Sequence, residues 1–212
     1  MAATLAAFLL LTSSGLSAQG WPQDLAIQQR LSSGEVIVQE PPIDPSRPRG
    51  MVHAAVLIHA TPEAIWRIVT DCREAGAFVP GLRSCRRVDA APDGRWEDIE
   101  QEVHYSWLLP TVRYVFRAQY DRPHRIDFHR VSGDLRAEEG AWHLSEMPNA
   151  SATLVEYEMY LDPGFFVPQI LVKRTLRTDL PQALNALKRR IEATPSQPGS
   201  AAHTEGLRAP RR

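Results

Sequence analysis

Cysteine occurs twice in these 212 residues, lysine occurs twice, and no apolar run is long enough to cross a bilayer. Each shortage closes off a class of function. Two cysteines, with no further cysteine or histidine at ligand spacing, argue against a zinc site. The apolar stretch from Ala2 to Leu11 falls short of the roughly 20 residues that a spanning helix needs. A formal net charge of −1 supplies no global attraction to nucleic acid or to an anionic membrane surface. Basic charge is carried almost entirely by arginine, with Lys173 and Lys188 the only lysines; codon bias explains that as well as function does, so it excludes nothing. Signature motifs are missing too. The chain has no Walker loop, no dinucleotide-type glycine fingerprint, no serine elbow and no HExxH helix. No cofactor and no metal are therefore expected.

What is present is the composition of an ordinary folded protein, with 43% hydrophobic residues, and the length suits one domain with flexible ends. Residues 1–18 read as a signal peptide. After the apolar stretch come Thr12-Ser13-Ser14-Gly15 and then Leu16-Ser17-Ala18, a small-residue pattern suited to signal peptidase. The segment before the apolar stretch offers only the terminal amine, so an uncleaved anchor and a cytosolic protein stay open as alternatives. No cysteine follows the apolar stretch, which argues against a lipoprotein anchor. The expectation is an exported protein, periplasmic or secreted. Residues 19–34 form a leader in which Leu25, Ile27 and Leu31 mark a short helix, residues 35–192 the domain, and residues 193–212 a disordered tail of Pro, Ser, Gly, Ala and Arg.

The segment from Val56 to Leu82 is the most informative. It predicts a strand that stops at Ala60, then a helix with a well-formed start. Thr61 is a good N-cap, Pro62 suits the first helical position because its missing N–H would be unpaired there, and Glu63 complements the helix dipole. Ile65, Ile68, Val69 and Cys72 recur at helical spacing and give one apolar face. Arg73-Glu74 reads as a polar break, and Phe78-Val79-Pro80-Gly81 launches the next strand. Cys72 ends the helix on its inward face and Cys85 starts that strand. In an oxidising compartment this pair closes a short disulfide loop, contributing about 3 kcal/mol; the other reading is two separate buried thiols.

Further strands are predicted at 34–38, 51–58, 82–90, 95–107, 111–121, 125–131, 134–146 and 151–161, the first two separated by the proline-rich loop Pro41–Pro48. Val112, Tyr114, Phe116, Ala118 and Tyr120 alternate with Arg113, Val115, Arg117 and Gln119, the period of a sheet with one buried face. Ser132-Gly133 reads as a compact hairpin turn. From Phe165 to Ile191 an apolar stripe predicts a long helix, which Pro181 should kink or split by removing a hydrogen bond. The fold class is α+β: a curved antiparallel sheet wrapped around a long C-terminal helix.

Candidate chemistry is sparse. His53, His59, His104, His124, His129, His143 and His203 are scattered, with His124 and His129 on opposite faces of a strand, and isolated histidines on sheets are usually hydrogen-bonded structural residues. Asp98, Glu100 and Glu102 lie along one strand and Glu138 with Glu139 on another, which reads as solvated strand face without an acid–base partner. Large amphipathic side chains stand out instead. Trp107, Tyr114, Phe128, Trp142, Tyr157 and Met159 share the concave side. The space beneath the last helix is either a core filled by side chains or an apolar pocket, and periodicity leaves both open.

The elements Ile58-His59-Ala60-Thr61-Pro62-Glu63 with Trp66, Val69-Thr70-Asp71, Phe78-Val79-Pro80-Gly81, Gly140-Ala141-Trp142 and the helix from Phe165 resemble the START-like (SRPBCC) superfamily. The resemblance is to its helix-grip fold, in the polyketide cyclase and coenzyme Q-binding branch, and covers roughly residues 35–192. It implies a deep hydrophobic cavity under the C-terminal helix for lipids, isoprenoid quinones or polycyclic aromatics. No residue matches a catalytic position of the aromatase members, and an export signal sits poorly with a carrier-tethered substrate in the cytosol. The expected function is binding, with transport as an extension, of such a molecule. Candidate walls are Ile65, Val69, Trp107, Tyr114, Phe128 and Trp142, together with Tyr157, Met159, Phe166, Ile170, Leu176 and Leu180. Tyr114 and Tyr157 offer hydroxyls to a ligand oxygen, and the helix at Pro181 is the gate. The expected partner is the hydrophobic ligand alone, bound by a monomer, with no nucleic acid and room for a transient membrane contact. The alternatives are an enzyme of cyclase, dehydratase or hydrolase type, which a cavity residue of strongly shifted pKa would favour, and an envelope interaction protein with a filled core.

Overall fold

Thr61, Pro62 and Glu63 begin a helix as the sequence predicts, and that helix carries the chain from one end of a sheet to the other. The computed structural model describes residues 24–42, 45–47, 51–104, 110–148, 151–164 and 169–193, with side chains in the last segment described from Arg177 onward. The signal peptide, the first part of the leader, Trp107, Phe166, the side chains of Ile170 and Leu176, His203 and the tail lie outside the described residues.

Element order is α1 (Leu25–Ser32), β1 (Ile37–Gln39), β2 (Met51–Ile58), α2 (Pro62–Val69), α3 (Cys72–Ala75), β3 (Leu82–Ala90), β4 (Trp96–Val103), β5 (Val112–Asp121), β6 (Arg125–Gly133), β7 (Ala137–Glu146), β8 (Thr153–Asp162) and α4 (Gln169–Glu192). Over the described residues the strands form one eight-stranded sheet in the order β1-β2-β8-β7-β6-β5-β4-β3. Every neighbouring pair is antiparallel. β3 to β8 run as a meander, which brings β8 back beside β2, while α2 and α3 bridge β2 to the far edge at β3. Register shifts near Ser84, Val88 and Val131 bend their strands, as bulges do, and the sheet curves around α4. This is the helix-grip arrangement.

Thr61 Oγ1 accepts from the Ala64 N–H at 3.3 Å, and Pro62 takes the first turn, where its missing donor does no harm. Cys72 does not end this helix. α2 stops at Val69, and Asp71 caps a separate four-residue helix, accepting from the Arg73 N–H at 2.9 Å. Arg73-Glu74 is therefore helical instead of a break. Cys72 and Cys85 are joined by a disulfide, with Cα atoms 5.2 Å apart, which ties α3 to β3.

The core lies between the concave face and the helices. Leu184, Leu187 and Ile191 of α4 meet Val56, Ile58, Val155 and Leu144 of the sheet and Ile65 and Trp66 of α2. Each fully buried aliphatic side chain is worth roughly 1.5–3 kcal/mol of removed apolar surface. Glu74 of α3 accepts two hydrogen bonds from Arg190 of α4, each 2.7 Å. α4 runs unbroken through Pro181, so the predicted split does not occur; packing of Leu180 and Leu184 on the core on either side of the proline holds the helix together. On the convex face α1 covers β1 and β2 through Leu31, Ile37 and Ala55.

Two further expectations are corrected. Ser132-Gly133 is not the hairpin turn: β6 continues along β5, with Gly133 opposite Tyr114. The Asp134 carboxylate accepts from the Arg113 N–H and its own N–H donates to Arg113 O, both 2.8 Å, so the connection to β7 falls at 134–136. His124 lies in the turn between β5 and β6, not on a strand. On the convex face Asp98 is not solvated but 7% exposed, held by Arg117 at 2.7 and 2.9 Å while that guanidinium stacks 3.8 Å over Trp96.

Candidate functional site

Period-two alternation on five neighbouring strands places one row of side chains after another on the concave face. Ile126, Trp142 and Tyr157 form one row by register; Ala118, Phe128, Gly140 and Met159 the next; beyond it Ile99 pairs with Phe116 on one side and Glu138 with Leu161 on the other; Gln101 and Tyr114 come last. The rings make a continuous wall. Trp142 lies 4.4 Å from Tyr157 between centroids, Tyr157 stacks on Phe128 at 6.0 Å, and Phe128 meets Phe116 edge-on at 6.2 Å. Offset and edge contacts of this kind each add roughly 0.5–1.5 kcal/mol to the burial term.

Gly140 sets the depth of this wall. A Cβ there would meet Phe128 Cζ at 2.5 Å and the backbone of Glu158 closer still, so only glycine lets the Phe128 ring lean across β7. Opposite the sheet, Val69 of α2, Cys72 and Ala75 of α3, the following loop, and Leu180, Ala183, Leu184 and Leu187 of α4 complete the enclosure. Between them lies an unfilled cavity of about 210 Å³. That exceeds the roughly 150 Å³ of an apolar cavity able to admit a benzene-sized molecule.

A few polar groups interrupt the hydrocarbon lining. The Tyr114 hydroxyl donates to Gln101 Oε1 at 2.9 Å, and Tyr157 Oη lies 2.9 Å from Met159 Sδ. The Tyr120 hydroxyl donates to Glu97 Oε2 at 3.1 Å; burial and this carboxylate push its pKa well above the usual tyrosine value. At the cavity's edge Asp71 is held below the usual carboxylate range by hydrogen bonds from Arg73. Glu138 differs from all of these. It lines the cavity, is 8% exposed, and its Oε2 has no hydrogen-bond partner among the described residues. Burial alone pushes its pKa up to about 8. Arg130 of β6 pairs in register with Phe116; its guanidinium donates to Gly133 O at 2.9 Å while its Nε is buried without a partner among the described residues, and it forms no ion pair with Glu138.

The expectation that Glu138 and Glu139 share a solvated face is thus overturned for Glu138. Successive strand residues point to opposite faces, so Glu139 stays outside, where Arg47 reaches it at 2.6 Å, and Glu138 is driven inward with Trp142. Of the predicted wall residues, Val69, Tyr114, Phe128, Trp142, Tyr157, Met159 and Leu180 line the cavity. Ile65 does not: it is fully buried in the core one turn before Val69. Phe116, Tyr120, Gln101, Glu138 and Ala183 line it without having been singled out. His53, His59, His104, His124, His129 and His143 all lie off it. Among the described residues no group of three or more His, Cys, Asp or Glu is placed to hold a metal ion, and no helix is long and apolar enough to cross a membrane.

Comparison with known proteins places this geometry. The family model described as polyketide cyclase / dehydrase and lipid transport matches residues 58–188. No curated protein matches the chain. Among solved structures, a STAR-related lipid transfer protein from Xanthomonas axonopodis superposes with a TM-score of 0.63 at 16% identity, over 74% of this chain and 93% of that one. A START superfamily protein from Mycobacterium smegmatis gives 0.56 at 22% identity, over 67% and 97%. The Zhui aromatase/cyclase from a Streptomyces species gives 0.56 at 14%, over 67% and 93%. At these identities the likeness is one of fold.

Proposed function

We propose, for a chain that belongs to the polyketide cyclase / dehydrase and lipid transport family of the START-like superfamily, that it binds a hydrophobic small molecule beneath α4. The observation that carries this reading is the unfilled cavity behind a continuous aromatic wall. Apolar ligand surface leaving water contributes about 2.5 kcal/mol per 100 Å², and the rings of Phe128, Tyr157 and Trp142 offer flat surface to a quinone, an aromatic polyketide-like compound or a lipid tail. The protein acts as a carrier of that molecule, working as a monomer that touches membranes only to exchange cargo, with α4 as the gate. Export is supported by the Cys72–Cys85 disulfide, since disulfides persist in oxidising compartments.

A second reading, turnover, is favoured by one observation, the buried Glu138 carboxyl with its raised pKa, a poise suited to a general acid. Among the described residues no second titratable group lies within hydrogen-bond reach of it, so binding is the function carried forward. Titration with N-phenyl-1-naphthylamine, a neutral dye that brightens in apolar surroundings, tests it. The wild type should bind the dye at one site, and Ala183→Phe, which projects a ring into the cavity from α4, should bind it at least tenfold more weakly at unchanged melting temperature. Equal affinity in the two proteins would place the dye elsewhere and defeat the reading.

A further inference from the structure

Resting on that reading of the cavity, we infer that Glu138 is its polar recognition point, and that the ligand is a neutral, mainly hydrocarbon molecule carrying an oxygen that accepts a hydrogen bond from this carboxyl. Carbonyl, quinone and hydroxyl oxygens share that chemistry.

The geometry begins with a conflict that the protein alone does not resolve. Buried polar atoms in folded proteins are almost always paired. Elsewhere in the cavity they are: Tyr114 has Gln101 and Tyr120 has Glu97. Glu138 Oε2 has nothing, although it is 8% exposed and projects from β7 into the open space. Its register neighbour across β8 is Leu161, and the position two residues along β7 is Gly140, which has no side chain. The carboxyl thus stands two rows from the Trp142–Tyr157 pair, with apolar lining between them and the Gln101–Tyr114 pair beyond it. A ligand that packs its rings or chain against the aromatic wall and sets one oxygen at the carboxyl satisfies both at once.

The same surroundings select the ligand's charge. With no cation paired to it, the carboxyl keeps its proton at neutral pH because burial disfavours the ionised form. A protonated carboxyl presents an O–H, so the complementary atom is an acceptor. A cationic amine would require this group to ionise and both charges to lose their water in an apolar site, which burial penalises. The titratable groups that share the chamber are Asp71, Tyr114, Tyr120, Tyr157 and Asp179; on the adjacent strand β6, Arg130 lies outside the lining and directs its guanidinium to Gly133 O.

The test uses three probes on one bicyclic skeleton: indane, 1-indanone and 1-aminoindane, each titrated calorimetrically into the full protein. The quantity read is the affinity ratio of 1-indanone to indane. From wild type to Glu138→Leu this ratio should fall at least tenfold, because the ketone oxygen loses the carboxyl donor while indane loses nothing. Glu138→Gln, which keeps an N–H donor at the same place, should retain most of the ratio; Glu138→Met, of similar length but with no donor, should lose it as the leucine variant does and serves in place of that variant if it folds poorly. An unchanged ratio with indane still bound would overturn the role of Glu138 and leave the hydrophobic cavity standing. A Glu138-dependent preference for 1-aminoindane over 1-indanone would overturn the neutral-oxygen assignment. If the wild type binds neither indane nor 1-indanone, the cavity reading falls with it.

Discussion

Replacing Glu138 with glutamine removes one titration and leaves the shape of the cavity nearly unchanged. Its carboxyl ordinarily titrates at 4.5, and burial moves it to about 8 in the folded chain. Below the lower value the folded and unfolded chains both hold the proton, and the group carries no ionic penalty. Between the two values the unfolded chain has released its proton while the folded chain keeps it. The folded state then binds more protons, so stability falls as pH rises. Above about 8 both states are ionised and the loss is complete. At 1.36 kcal/mol per pH unit, the move from 4.5 to about 8 corresponds to about 5 kcal/mol, a large share of the roughly 5–15 kcal/mol that holds a domain folded. Urea unfolding of wild type and Glu138→Gln at intervals between about pH 5 and pH 9 isolates the effect, because every other group titrates alike in both. The variant should gain on the wild type by about 1.4 kcal/mol per pH unit, levelling off near pH 8. A difference independent of pH would refute the assignment of a buried, protonated carboxyl.

The disulfide closes a short loop between residues 13 apart, so the Cys72→Ser, Cys85→Ser double variant should lose about 3 kcal/mol, read as a lower urea midpoint that reductant no longer shifts. Leu187→Ala empties a fully buried site between α4 and the sheet and should cost about 2–5 kcal/mol, measured the same way. Gly140→Ala should lower the melting temperature and weaken uptake of N-phenyl-1-naphthylamine, because the added methyl would meet the Glu158 backbone on β8 as well as Phe128 Cζ at 2.5 Å; unchanged dye binding and melting temperature would show that β8 and Phe128 absorb the methyl without consequence.

Local chemistry accounts for what the sequence makes legible. Thr61-Pro62-Glu63 specifies a helix start whatever surrounds it. Alternation from Val112 to Tyr120 names the buried face of β5, and the short Cys72–Cys85 spacing suits a disulfide across one turn. Features that depend on distant partners were not legible. Asp98 reads as solvated because nothing near it in sequence announces Arg117 and Trp96. A helix pair between the strands is legible, but the place where α2 gives way to α3 hides in a continuous apolar stripe that a helix period fits almost as well. Ser132-Gly133 carries turn residues, yet the Asp134–Arg113 hydrogen bonds hold the chain on β5 past them. Glu138 is the instructive case. A Glu-Glu doublet looks solvated, although parity with Trp142 assigns Glu138 to the concave face. Whether the space beneath α4 is filled depends on side-chain volumes summed over the sheet and three helices, which no local pattern reports.

Native mass spectrometry of the protein purified from an exporting host, followed by solvent extraction of whatever it holds, tests the central claim most directly. A near-stoichiometric, mainly hydrocarbon compound bearing an acceptor oxygen, retained by the wild type and absent from Ala183→Phe, is the predicted result. An empty wild-type protein that also takes up no N-phenyl-1-naphthylamine after delipidation would contradict it.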